Sequence, residues 1–372
     1  MKILGVYLLK QNLFLISTFL CVGAGLFIIT DLFERLNEFL SSGLGPGRVI
    51  YYFLLKLPNI IYLILPAVYL IAVVSQLVFL ENSRERMALA SGGVSPFVIM
   101  RFVIIYGVFL AAAQFVFGQM LGIPGDREAA RIWQTEVRGK IFEEASVQGL
   151  WFREKQNIVH IGVVYPVAQT GENIVVYVLD EEGTGIDEII KARKFYVTPD
   201  EQWKLEDGVS LKPDHYSAAA FKDMSLPFNQ NLRVFQVVDR SMGMEPSRLS
   251  MSELYEVIKR LEQSGSNVEA LKTALYAKAA YAFSIIVMGV LALIITRLTS
   301  NIYKAVALAI VIIFFYHGTN TLFVRMGEKS IVSPLVGAWL TNVIFLSCGL
   351  LRVARTFIAA RLTTLSVMGR GR

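Results

Sequence analysis

The chain is predicted to be an α-helical membrane protein with six transmembrane helices and an all-β domain inserted between helices 3 and 4. Three observations predict this. Hydrophobic residues make up 54% of the 372 and charged ones only 18%, too apolar a balance for a soluble globular protein. Six runs free of Asp, Glu, Lys and Arg have the length needed to cross a hydrocarbon core roughly 30 Å thick. Between the third and fourth runs the pattern changes to short β-branched segments separated by turn residues.

The runs cover residues 11–30, 57–80, 102–125, 279–296, 305–324 and 330–351. The first follows Lys2 and Lys10 and continues past the weak small-residue site at Gly23 and Gly25, so it reads as an uncleaved anchor. The fourth is the shortest. It is expected to begin before Lys278, whose ammonium would snorkel towards the headgroups. Cys21 and Cys348 lie inside apolar runs and read as small hydrophobes, with no disulfide framework. Basic residues set the orientation, because those in short loops resist translocation. Lys2, Lys10, Arg84, Arg86, Arg101, Arg297 and Lys304 share one side with an arginine-rich tail, while the opposite short loops carry only Arg35, Arg48, Lys56, Arg325 and Lys329. Both termini are therefore expected in the cytoplasm. The net charge of +6 is then a membrane feature, and no nucleic-acid partner is implied.

That topology gives four segments: helices 1–3 in residues 1–125, the outside domain in 126–270, helices 4–6 in 271–351 and a basic cytoplasmic tail in 352–372. Strands are expected at 149–154, 157–165, 173–180, 186–197, 203–210 and 215–221, forming an antiparallel sandwich or open barrel. A polar helix around 126–144 leads in. A second helix near 250–263 leads out, with Ser250 placed to cap it and Glu253 three residues on.

Chemistry of its own is hard to find in the chain. No phosphate-cradling loop is present; Gly43, Gly45 and Gly47 follow a span without a lysine and read as a turn. His160, His215 and His317 have no metal-ligand spacing. The reading is a non-catalytic subunit without cofactor or metal. A secondary carrier would keep charged groups deep in its spans, which are free of acidic and basic side chains apart from His317, so energy is expected from a partner. His317 and Asn320 read either as cavity-lining or as helix-packing groups, and the aromatics Phe314 to Tyr316 and Tyr51 to Phe53 as mostly lipid-facing or interfacial.

The segment between the second and third runs, about 81–95, carries Glu81, Arg84, Glu85 and Arg86 before Met87, Leu89 and Val94, with Gly92 and Gly93 ending a short helix ahead of Pro96. It reads either as an ordinary amphipathic loop or as a helix that plugs into a soluble motor. Its run from Glu85 through Ala88, Ser91, Gly92, Gly93 and Val94 to Ser95 resembles the coupling helix of the LptF/LptG permeases, which extract lipopolysaccharide from the inner membrane. Gln148 to Phe152 with Asn157 to Ile161, Trp203 to Gly208, and Leu254 to Gly265 match the same family in type and order, and the start at Gln148 and end at Gly265 favour the LptG type. One departure is Ala279 to Ala282 after Lys278, where the family usually carries a proline and a kink.

The resemblance implies a periplasmic β-jellyroll-like domain and a V-shaped lipid cavity shared with a paralogous LptF-like or LptG-like permease. An LptB-like ATPase dimer would bind ATP and Mg, and an LptC-like bridge protein would receive the lipid. It marks Glu85, with Arg84 and Arg86, for coupling to the ATPase, since a carboxylate there can accept a charge-assisted bond from an arginine of the motor. Arg35, Lys56, Arg325 and Lys329 are the candidates for lipid headgroup phosphates, against the alternative of snorkelling anchors. A polytopic envelope scaffold whose β domain binds partners is the competing reading.

Overall fold

The computed structural model describes residues 2–138, 147–154, 156–165, 169–180, 185–198, 202–212, 217–226, 228, 246–263 and 267–349. These form two compact units, one of residues up to Arg138 and from Thr273 on, the other of those between.

The first unit is helical. Helix α1 spans Lys2–Ser42 and ends where Gly43 takes φ +70°, a left-handed turn glycine adopts without strain. Helix α2, Pro46–Asn82, starts on a proline already fixed at a helical φ. At 41 and 37 residues both exceed the hydrocarbon thickness, reaching about 60 and 55 Å. The short α3, Glu85–Ser91, precedes α4, Pro96–Phe117. Helix α4 does not stop at the end of its apolar run. A π-turn over Gly118–Gly122 joins it to α5, Ile123–Ile132, and a second over Trp133–Val137 extends that, so the polar helix expected at 126–144 is, as far as Val137, a continuation of the third span. Residues 139–146 lie outside the described residues. The first π-turn fits its sequence, because Pro124 has no N–H for the α-helical ladder; Ile123 N–H reaches back five residues to Gly118 instead.

Gly118, Gly122 and Gly125 then face Tyr62, Asn59 and Leu55 of α2 in antiparallel order. A Cβ on Gly118 would lie 2.5 Å from the Tyr62 ring, and one on Gly125 would overlap the Leu55 carbonyl. Small residues here let two backbones meet, the usual basis of helix association in lipid. Helix α7 is Glu269–Leu298 and continuous, as its lack of proline after Lys278 allows. Helix α8 is Ile302–Glu328, capped by Asn301, whose carboxamide oxygen accepts from the Tyr303 and Lys304 amides. Among the described residues five helices are long and apolar enough to cross a membrane; the sixth run contributes the shorter α9, Pro334–Gly349, and residues 350 and 351 lie outside the described residues. Lys278 does not snorkel as expected. It is 9% exposed, held inside the bundle.

In the second unit six strands pair antiparallel in chain order: β1 Val147–Glu154, β2 Asn157–Tyr165, β3 Thr170–Leu179, β4 Ile186–Val197, β5 Trp203–Lys212 and β6 Ser217–Leu226. One face is closed, with Val159, Ile161, Ile174, Val176, Ile190, Phe195, Trp203 and Leu205 buried. The period-two burial that fixes register is clearest in β5, where Trp203 and Leu205 are buried and Lys204 and Glu206 are not. Two strand glycines are covered by rings across the ladder: Gly171 opposite Phe195 and Gly208 opposite Phe221. Helix α6, Met251–Gln263, carries the expected capping box. The Ser250 hydroxyl accepts from Glu253 N–H at 3.3 Å, and the Glu253 carboxylate takes Ser250 N–H at 2.8 Å.

Gly125→Ala is expected to lower unfolding free energy in bicelles by about 2 kcal/mol, the usual cost of forcing extra volume into a closed contact. Gly25→Ala, with nothing within 4 Å of its added methyl, should leave it unchanged.

Candidate functional site

At one end of the helical unit the chain turns twice in a few residues. Helix α2 runs through Asn82, so the 81–95 stretch is not one helix. Arg84 adopts φ +59° between α2 and α3, Gly93 adopts φ +80° after α3, and Ser95 caps α4 by accepting the Phe97 amide at 3.4 Å. Helix α3 buries no residue, and Met87 is 71% exposed. Its outer surface is thus small and apolar, with Ala88, Ala90, Ser91 and Gly92 also exposed.

The three expected coupling residues do not pair with one another. Arg86 binds Glu81 at 2.6 Å, and Arg84 makes no ion pair among the described residues. Glu85 accepts a hydrogen bond at 2.9 Å from the Tyr7 hydroxyl of α1, a partner that local spacing could not suggest. Just inside this end, the Gln76 amide donates to the Leu8 carbonyl at 2.7 Å and accepts from Asn12 Nδ2 at 2.8 Å, with Asn12 and Gln76 both buried. The pair was not singled out from sequence. Its signal was present, two carboxamides in apolar runs that must be paired once in lipid.

At the opposite ends of α1 and α2, two of the four expected headgroup cations meet on one carboxylate. Asp31, 8% exposed, accepts from Arg35 Nε at 3.0 Å and from Lys56 Nζ at 2.8 Å. The Arg35 guanidinium also lies 4.2 Å from the centroid of the Trp133 ring, and Lys56 Nζ 5.6 Å from that of Tyr52. Phe39, Tyr52 and Trp133 pack edge-on around them, with Phe39 centroids 5.5 and 5.3 Å from the other two. Opposite charges this close in a partly buried setting hold each other, so these cations are built into the fold rather than extended as free anchors. Asp31 was missed because the first apolar run was read as ending at Thr30, although it stands four residues before Arg35. Arg48 and Glu136 form a second ion pair between α2 and the π-turn after α5. Arg325 and Lys329 sit apart at the end of α8, Arg325 paired with Glu328 at 3.1 Å and Lys329 exposed.

The aromatics divide differently from expectation. Phe314 and Phe315 are exposed, but Tyr52, Phe53 and Tyr316 are buried. Tyr316 donates to Asn342 Oδ1 at 2.6 Å, and Asn342 Nδ2 donates to the Ala280 carbonyl at 2.8 Å, tying α7, α8 and α9 together. His317 packs beside Tyr281, their ring centroids 6.3 Å apart.

Long apolar helices, a projecting helix between two of them and a β domain set into the middle of the chain define a multi-pass membrane protein. The lipopolysaccharide export system permease LptF/LptG family matches residues 6–355, and the chain belongs to it. Among curated proteins none matches the chain. Membership makes the chain a lipopolysaccharide export permease of the inner membrane.

Asp31→Asn should lower the unfolding free energy by about 3 kcal/mol, because two part-buried cations lose their counter-charge. Glu81→Gln, which removes the exposed pair with Arg86, should change it by less than about 1 kcal/mol.

Proposed function

We propose that this chain is the LptG-type half of an exporter that lifts lipopolysaccharide out of the inner membrane, driven by a separate ATPase docked on α3. The observation that carries this reading is the form of α3: a seven-residue helix with no buried residue, between two sharp turns, displaying Met87 and a row of small residues. A helix of that kind fits a cleft on a soluble protein and passes its displacement to α2 and α4. Glu85 would bind a motor arginine, flanked by Arg84 and Arg86. ATP and Mg would be held by an LptB-like dimer, leaving this chain without a cofactor.

The distribution of basic residues supports cytoplasmic termini, a cytoplasmic α3 and a periplasmic β domain. In that orientation Arg35, Lys56, Arg325 and Lys329 lie at the outer leaflet, where lipid phosphates would meet them. Asp31 leaves Arg35 and Lys56 with one net positive charge between them, enough to attract phosphate without leaving either cation unpaired. An apolar cavity would hold lipid chains at roughly 0.8 kcal/mol per CH₂, so release requires closing the cavity itself. A paralogous LptF-like permease would form its other wall, and an LptC-like protein with the β domain would receive the lipid.

Reconstitution of the chain with a paralogous permease, the ATPase and the bridge protein into proteoliposomes containing lipopolysaccharide tests the reading. ATP should release lipid to a soluble acceptor, and Glu85→Ala should lower that release about tenfold, the worth of a hydrogen bond to a charged group. Normal release by the Glu85→Ala protein would remove α3 as the coupling element.

A further inference from the structure

The Tyr7 hydroxyl crosses 78 positions of sequence to donate to Glu85 Oε2 at 2.9 Å. Within residues 81–88, Glu85 is half-buried and the others are exposed. Among the described residues no other bond to its carboxylate is present, so Oε1 is left for a second donor. A carboxylate accepts on both oxygens, so the Tyr7 bond to Oε2 still lets Oε1 accept from a second donor.

The same stretch of α1 carries the Leu8 and Asn12 bonds to Gln76. These are buried amide bonds, and breaking them in hydrocarbon would leave polar groups unpaired, which makes the joint between α1 and α2 stiff. Elsewhere α1 is lightly held, with only 11% of its apolar window buried against 67% for α2. A helix that turns most of its apolar surface outward is thus fastened, at this end, to the last turns of α2 and to the first residue of α3.

We infer that Tyr7 is the positioning residue for Glu85, and that through this bond α1 receives the displacement of α3 together with α2 and α4. The inference rests on the coupling role proposed for α3. Tyr7 presents the carboxylate to a cationic group of the docked motor. It also carries the motion to the helix whose far end holds Asp31, Arg35 and the Trp133 contact.

The test uses the complete exporter in proteoliposomes and measures lipid released per ATP hydrolysed, with co-purification of the ATPase and the thermal midpoint as controls. Tyr7→Phe keeps the ring and removes the donor. It should lower the ratio about threefold or more while both controls stay at wild-type values. Tyr7→Phe added to Glu85→Ala should cost nothing beyond Glu85→Ala. The inference is overturned if Glu85→Ala lowers the ratio and Tyr7→Phe does not, or if the two losses multiply. If Glu85→Ala itself leaves the ratio intact, the coupling role of α3 fails first.

Discussion

Proline 66 in the middle of α2 cannot donate to the carbonyl of Tyr62, one turn earlier, and in a hydrocarbon medium that carbonyl must find another donor. It finds Gln114 of α4, whose Nε2 donates at 2.7 Å. The next carbonyl, Leu63, accepts from the Tyr281 hydroxyl of α7. The missing N–H thus ties α2 to α4, and the Tyr281 bond beside it adds α7 at a level where no water can help. Tyr69, one residue short of a turn further along α2, repeats the device by donating to the Val103 carbonyl at 2.7 Å. Its ring packs closely on Gly107 and Gly289, where an added Cβ would approach it to 3.1 and 3.2 Å, tighter than ordinary van der Waals contact.

Most of the architecture follows from α2 serving as this hub. Its apolar window is 67% buried, whereas the windows of α1 and α8 are 11% buried and turn side chains such as Phe14, Leu26, Phe314 and Phe315 outwards. The two lightly held helices are the ones with apolar surface to offer to lipid chains or to a second permease. They are not loose, because each is bolted at chosen points. Gln76 and Asp31 secure α1 near its two ends, and Asn342 secures α8 through Tyr316. In the proposed exporter a stiff hub beside two peripheral walls would allow the cavity to narrow without unfolding any span.

The sequence made the repetitive features legible and left the partner choices hidden. Period-two alternation marked all six strands to within a few residues, from Asn157–Tyr165, which matched, to Ser217–Leu226, expected at 215–221. Ser250 and Glu253 announced their capping box because the motif is local. By contrast, the continuation of α4 through two π-turns was concealed by the charges of 126–136, which suggested that the span had ended. Lys278 was read as a snorkelling group because reach is visible in sequence and burial by neighbouring helices is not. Local spacing offers Glu85 only Arg84 and Arg86, its neighbours in sequence, while its partner Tyr7 lies on another helix. Asp31 illustrates the same limit: an acid beside an apolar run signals an interface, but only the fold brings Lys56 to it.

The dependence of the bundle on the Pro66 carbonyl can be measured directly as a double-mutant cycle of unfolding free energy in bicelles. Gln114→Leu should cost about 1–3 kcal/mol beside Pro66, where it strands the Tyr62 carbonyl, and under about 0.5 kcal/mol in a Pro66→Ala background, where residue 66 again donates to it. An equal cost in both backgrounds would contradict the account, because Gln114 would then be stabilising α4 for a reason unrelated to the gap in α2.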